Sequence, residues 1–315
     1  MATVCRTFFL IFTVLAVSPA WAGLALVGNE NSGTISLIDT ERDEVVGEIK
    51  TGGKPRGAAI NAARKLAYVS DQPSNALLVV DPEKRTVVKK IDLGESPEGV
   101  YISPDGKLVT AAVEMTNSVA FVDTATEAVA FRVKIKGENP EHAVFSPDGR
   151  FVYVSAEEDD KLEVIDVAAH KLIAQLKVGN RPRGIAFTPD GAKAYVACER
   201  ADTVYVIDAR EHKILRTIKA GVRSNGLMMH PDGKRVYLTN GGDGTVMVID
   251  TATDKVVATI QVGKRPWNMA LTRDGTKLYV ANGRSNSVSV IDTAKNVRIK
   301  DIPVGDTPWG VSILD

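Results

Sequence analysis

The dipeptide Ile/Val-Asp recurs seven times, with its aspartate at Asp39, Asp81, Asp123, Asp166, Asp208, Asp250 and Asp292, at spacings of 42, 42, 43, 42, 42 and 42 residues. So regular a period makes the chain a series of copies of one supersecondary unit, each burying its apolar surface only against its neighbours. Two further marks keep the same period. The turn Pro104-Asp105-Gly106 returns at Pro147, Pro189 and Pro231 and weakens to Arg273-Asp274-Gly275. The tripeptide Pro55-Arg56-Gly57 returns as Pro97-Glu98-Gly99, Pro182-Arg183-Gly184 and Pro308-Trp309-Gly310.

Within one copy, Gly184 to Asp208 reads as strand, turn, strand, loop, strand. Ile185 to Phe187 forms a short inner strand, and Pro189-Asp190-Gly191 has the residues of a type I turn followed by a left-handed glycine. Ala194–Ala197 and Thr203–Ile207 supply the second and third strands, and Lys213–Ile218 an outer fourth, all rich in β-branched and aromatic residues. Both faces are largely apolar, which suits a sheet sandwiched between two others. The expected architecture is all-β: a seven-bladed propeller of four-stranded antiparallel blades. The chain starts on what matches a second strand, Leu24–Val27, and ends on what matches a first, Gly310–Leu314. The terminal strand should therefore complete the blade that the amino terminus begins and leave no free edge.

The seven aspartates end third strands and precede small polar residues, as in Asp250-Thr251-Ala252-Thr253-Asp254. A carboxylate there accepts backbone N–H bonds in the reversal. Catalysis would need such a group once, whereas the fold needs it seven times.

Tyr237-Leu238-Thr239-Asn240 and Tyr279-Val280-Ala281-Asn282, each followed by a loop and Val-x-Val-Ile-Asp, resemble the YVTN-type β-propeller repeat. Seven such repeats behind a leader are similar to the propeller proteins associated with pyrroloquinoline quinone (PQQ)-dependent catabolism. That resemblance implies an accessory role beside periplasmic alcohol oxidation, with a quinoprotein dehydrogenase, a cytochrome or a transport component as partner. It brings no catalytic residues and no cofactor of the chain's own. The same fold also carries lactonases, haem-dependent reductases and amine dehydrogenase heavy chains, so fold alone selects none of them.

Arg6, the apolar run Phe8–Val17 and Ala20-Trp21-Ala22 have the form of an export signal, with cleavage expected after Ala22. Residues 23–315 then form one domain, directed to the periplasm. The apolar run is too short to span a bilayer. Removing Arg6 leaves 38 Lys+Arg from 39 against 39 Asp+Glu, a balance of −1, which lacks the basic excess that nucleic-acid binding uses. Cys198 loses its only possible partner, Cys5, so no disulfide supports the domain.

Function is expected at the mouth of the central channel, where the residue after the repeated proline varies while its surroundings repeat: Arg56, Glu98, Glu141, Arg183, Asn225, Trp267 and Trp309. With His142 and the nearby Arg223, these are the candidate ligand-binding residues. The tryptophans either stack on a ligand or plug the opening. The arginines either clamp a carboxylate or are neutralised by Glu98 and Glu141 across the channel. Acidic residues gather in the third and fourth repeats (Glu95, Glu114, Glu138, Glu157–Asp160), and basic ones in the fifth to seventh (Arg181, Lys264, Arg265, Arg284). The sorting reads as a solvated surface or as a dipolar docking face. No histidine has zinc spacing, and Glu157–Asp160 offers at most a weak cation site. Two functions follow: a non-catalytic accessory or binding protein, or a lactonase-like hydrolase that uses Glu98, Glu141 and His142 with a metal.

Overall fold

The computed structural model describes residues 23–315; the expected leader and its cleavage point lie outside them. Seven four-stranded antiparallel sheets follow one another around an axis. Blade 5 illustrates the unit, with strands Pro182–Phe187, Lys193–Cys198, Thr203–Asp208 and Lys213–Lys219 running from the axis outward. Blade 1 is closed as expected: Pro308–Leu314 pairs antiparallel with Leu24–Asn29. Among the described residues no helix is long and apolar enough to cross a membrane.

The turn chemistry operates as the residue types dictate. Gly106, Gly149, Gly191, Gly233 and Gly275 take φ between 65° and 72°, the left-handed position that closes a three-residue hairpin loop. Asp39 accepts from the N–H groups of Glu41 and Arg42, Asp123 from Ala125 and Thr126, and Asp208 from Arg210 and Glu211. Asp81, Asp166, Asp250 and Asp292 do the same for the residue three positions on.

Seven apolar clusters, each shared by two adjacent blades, run around the ring. The second and third strands are buried on both faces. The fourth is not: only its sixth residue is inside, at Ile49, Ile91, Val133, Leu176, Ile218, Ile260 and Ile302. The expectation of two apolar faces therefore fails on the outer strand, which diverges from its neighbours toward solvent.

Second-strand tyrosines join one blade to the next. Tyr195 donates to Asp254 Oδ1 at 2.6 Å, and Lys193 reaches the same carboxylate at 3.0 Å. Tyr279 and Lys277 hold Asp43 in the same way across the closure between blades 7 and 1. Tyr237, equally buried, leaves its hydroxyl without a partner among the described residues. The pair is a controlled comparison. Tyr195→Phe should cost about 1.5–3 kcal/mol in urea unfolding, the worth of a hydrogen bond to a charged group, whereas Tyr237→Phe should leave the midpoint within error.

Candidate functional site

Every innermost strand begins at the repeated proline, or at Ser224 where blade 6 lacks it, and carries one residue too many for its partner. Pro182 faces Cys198 and Ile185 faces Val196, so two residues oppose one. The same irregularity lies at Arg56, Glu98, Glu141, Asn225, Trp267 and Trp309. A bulge of this kind breaks the alternation and re-aims a side chain. It turns the residue after the proline into a polar mouth of about 310 Å³.

The next residue of the motif is glycine in five blades because the innermost strands almost touch. A Cβ on Gly99 would lie 2.6 Å from the carbonyl of Glu141, and one on Gly226 would lie 2.3 Å from that of Trp267. Blades 4 and 7 depart from the rule and put His142 and Asn268 there.

A second ring was not anticipated. The residue just after each second strand is Glu30, Gln72, Glu114, Glu157, Glu199, Gly241 or Gly283, again at the period of the repeat. Its acids meet the arginines of the first ring and of the residue before the proline. Arg56 bridges Glu30 at 3.0 Å and Glu98 at shorter range. Arg183 is central, touching Glu141, Glu157 at 3.0 Å and Glu199 at 3.2 Å. Arg181 holds Glu157 and approaches Glu199 at 3.4 Å, and Arg265 reaches Glu199 at 2.6 Å across blade 6. Where the ring has glycine, a large side chain takes the space: a Cβ on Gly283 would meet the Trp267 ring, and one on Gly241 the Arg265 guanidinium.

Several candidate residues are thus brought together, with corrections. Arg56 and Arg183 are neutralised across the mouth, as one of the two readings held. Arg223 is exposed on the rim and does not line the cavity. Trp309 is 9 % exposed and lies between the mouth and the deeper channel, lining both. Glu157–Asp160 is no cation loop: Glu157 belongs to Arg181, Asp159 pairs with Lys161, and Asp160 accepts from Asn180 and the Arg181 N–H. His212 is half-buried and bonds Tyr153 at 2.7 Å. Cys198 is buried, and burial pushes its thiol up to about 12, leaving it inert.

Glu141 and His142 do not act as a pair. The Glu141 side chain enters the mouth, while His142 takes Tyr101 Oη at 2.5 Å on Nδ1 and stacks 6.0 Å from Trp309. Burial, partly offset by Glu141, lowers the imidazole to about 4, so it is neutral at pH 7. Burial also holds Tyr101 protonated. A buried hydroxyl needs an acceptor, and among the described residues the one hydrogen-bond partner of this one is Nδ1, so Tyr101 donates and the imidazole proton resides on Nε2. That N–H has no partner among the described residues.

The carboxyls divide. Burial and Glu141 push Glu157 up to about 7, and burial with Glu141 raises Glu98 well above its usual range despite Arg56. Burial works against ionisation of Glu141 and Glu199 as well, but Arg183 and its neighbours outweigh it and hold both low.

A family profile described as "Lactonase, 7-bladed beta-propeller" matches residues 86–173 and 168–299. No curated protein matches the chain. Among solved structures, hydrazine synthase from Kuenenia stuttgartiensis is 23% identical with a TM-score of 0.78, covering 85% of this chain and 92% of that one. A functionally unknown protein from Desulfotomaculum acetoxidans is 17% identical with a TM-score of 0.81, covering 92% and 98%. At these identities the structures show the shared fold alone.

The two shifts have opposite linkage. His142 stabilises the fold above pH 6.5, and about 3 kcal/mol of that is lost as pH falls from 6.5 to 4. Glu157 contributes stability below pH 4.5 that is lost as pH rises to about 7. Glu98, raised in the same direction as Glu157, adds to that loss. In urea unfolding between pH 5 and 7, His142→Gln should therefore gain more stability on acidification than the wild type, in which His142 opposes the two carboxyls, and a parallel profile in both proteins would refute the assignment.

Proposed function

We propose, from the premise that this chain belongs to the lactonase family of seven-bladed β-propellers, that its mouth binds a small polyoxygenated molecule of the lactone or hydroxy-acid class and opens the ring with water. The observation that carries this reading is the His142 Nε2–H, a neutral buried donor with no partner among the described residues, packed directly behind Trp309, which lines the mouth. A donor in that state suits an acyl oxygen, on which negative charge grows as water adds. Glu157, titrating near neutrality, suits the other half of the chemistry. As carboxylate it takes the proton of the attacking water, and it returns that proton to the ring oxygen when the acyl–oxygen bond breaks. Asn225 and Asn268 offer further amide donors in the cavity, and Trp267 forms a flat wall.

A second reading keeps the cavity without the chemistry: a periplasmic accessory protein beside PQQ-dependent alcohol oxidation. It is favoured by the exposed cations Arg223, Lys264 and Arg284 on the rim of blades 6 and 7, which suit docking to an acidic partner.

The test is a panel of γ-, δ- and sugar lactones with their hydroxy acids, followed by turnover and by melting temperature. Turnover should rise with pH through about 7, lose that limb in Glu157→Gln, and fall about 100-fold in His142→Ala. Binding without turnover would favour the accessory reading. If no compound is hydrolysed and none shifts the melting temperature, the small-molecule site is refuted and docking is the better account.

A further inference from the structure

Six carboxyl groups, Glu30, Glu98, Glu114, Glu141, Glu157 and Glu199, face four guanidiniums, those of Arg56, Arg181, Arg183 and Arg265. The exposed end of Lys54 approaches only Glu30, at 3.8 Å. The surplus is therefore local to the side formed by blades 3 and 4. Glu114 has no ion pair among the described residues; its one side-chain bond is from Ser96 Oγ at 2.6 Å.

We propose that Glu98, Glu114 and Glu141 bind one hard divalent cation, of the calcium or manganese class, on the acidic side of the mouth. One oxygen of each lies within 4.8 Å of the others, the spread that oxygens around a common ion at about 2.3–2.6 Å can have. The second observation is an orphaned atom. Glu98 is 1 % exposed, yet its Oε2 has no hydrogen-bond partner among the described residues, while Oε1 takes both Arg56 and Gln72. Buried carboxylate oxygens are rarely left so, and a cation would satisfy this one. The ion pair of Glu141 with Arg183 falls on Oε1 alone, and the bond of Ser96 to Glu114 on Oε2 alone. Groups that anchor one oxygen and leave the other are what orients metal-ligating carboxylates. The all-oxygen donor set selects a hard ion over zinc or copper. Without a cation, protons must compensate the same surplus, so the ion and the protons compete.

The site stands whether or not the mouth opens lactones, because its test reads ion binding alone. Chain freed of metal with EDTA is titrated with Ca²⁺ by calorimetry and with Mn²⁺ by electron paramagnetic resonance, at pH 5 to 8. One ion per chain should bind at pH 7.5, with release of protons and with affinity falling steadily toward pH 5. Glu114→Gln, at a partly exposed position, should keep the ion-free melting temperature and weaken binding by no less than the ~10-fold that loss of an outer partner costs. Glu98→Gln should weaken it further. Failure of both ions to bind at millimolar concentration, or unchanged affinity in both variants, would overturn the proposal.

Discussion

The extra residue at the start of each innermost strand is the constraint on which the rest of this protein depends. A strand of strict alternation would send the residue after the proline into a neighbouring blade, where only apolar or very small groups fit. The bulge releases it to the axis, and the glycine that follows in most copies lets the strands close around that axis at backbone contact. The framework is held elsewhere, by the shared apolar clusters and the tyrosine contacts between blades. The seven mouth positions are therefore not dictated by the repeat, which is why it can carry Arg, Glu, Asn and Trp at the same place.

What the mouth does with that freedom is electrostatic. Arg56 of blade 2 is held by carboxylates of blades 1 and 3, Arg183 of blade 5 by those of blade 4 and of its own blade, and Arg265 of blade 7 by Glu199 of blade 5, so most of these ion pairs also tie one blade to another. Burial makes the surplus carboxylates expensive to ionise; in consequence Glu157 is pushed up to about 7 and Glu98 is raised well above its usual range. The same burial keeps His142 neutral. A site with a proton-holding carboxyl, a neutral imidazole donor and fixed guanidiniums is arranged for polar recognition and proton transfer more than for apolar binding. The larger groove of about 540 Å³ between blades 4 and 5 is lined mainly by turn residues that the repeat needs in any case.

Much of this was legible in the chain. The 42-residue period defines the blades, Pro-Asp-Gly the turns, and the end points the closure; Arg56, Glu98, Glu141, Arg183, Asn225, Trp267 and Trp309 follow from the motif that varies. Glu30, Gln72 and Glu199 were missed although they obey the same period, because each directly follows a strand and reads as loop. Aligning the copies at Tyr237-Leu238-Thr239-Asn240 and taking the next residue would have found them. His142 and Asn268 carried a signal too, as the two replacements of the motif glycine in blades 4 and 7. The placement of Arg223 on the rim, and the direction in which Tyr101 donates, depend on side-chain geometry across blades that no spacing encodes.

The central claim is that the mouth holds more carboxyl groups than its guanidiniums can neutralise. Carbon-13 spectra of chain labelled at the glutamate carboxyl, recorded from pH 4 to 9 without divalent ions, test it directly. The account predicts one mouth glutamate with its midpoint near 7, assigned to Glu157, and a second, Glu98, that also titrates well above the ordinary range. All six mouth glutamates ionising below pH 5 would contradict it.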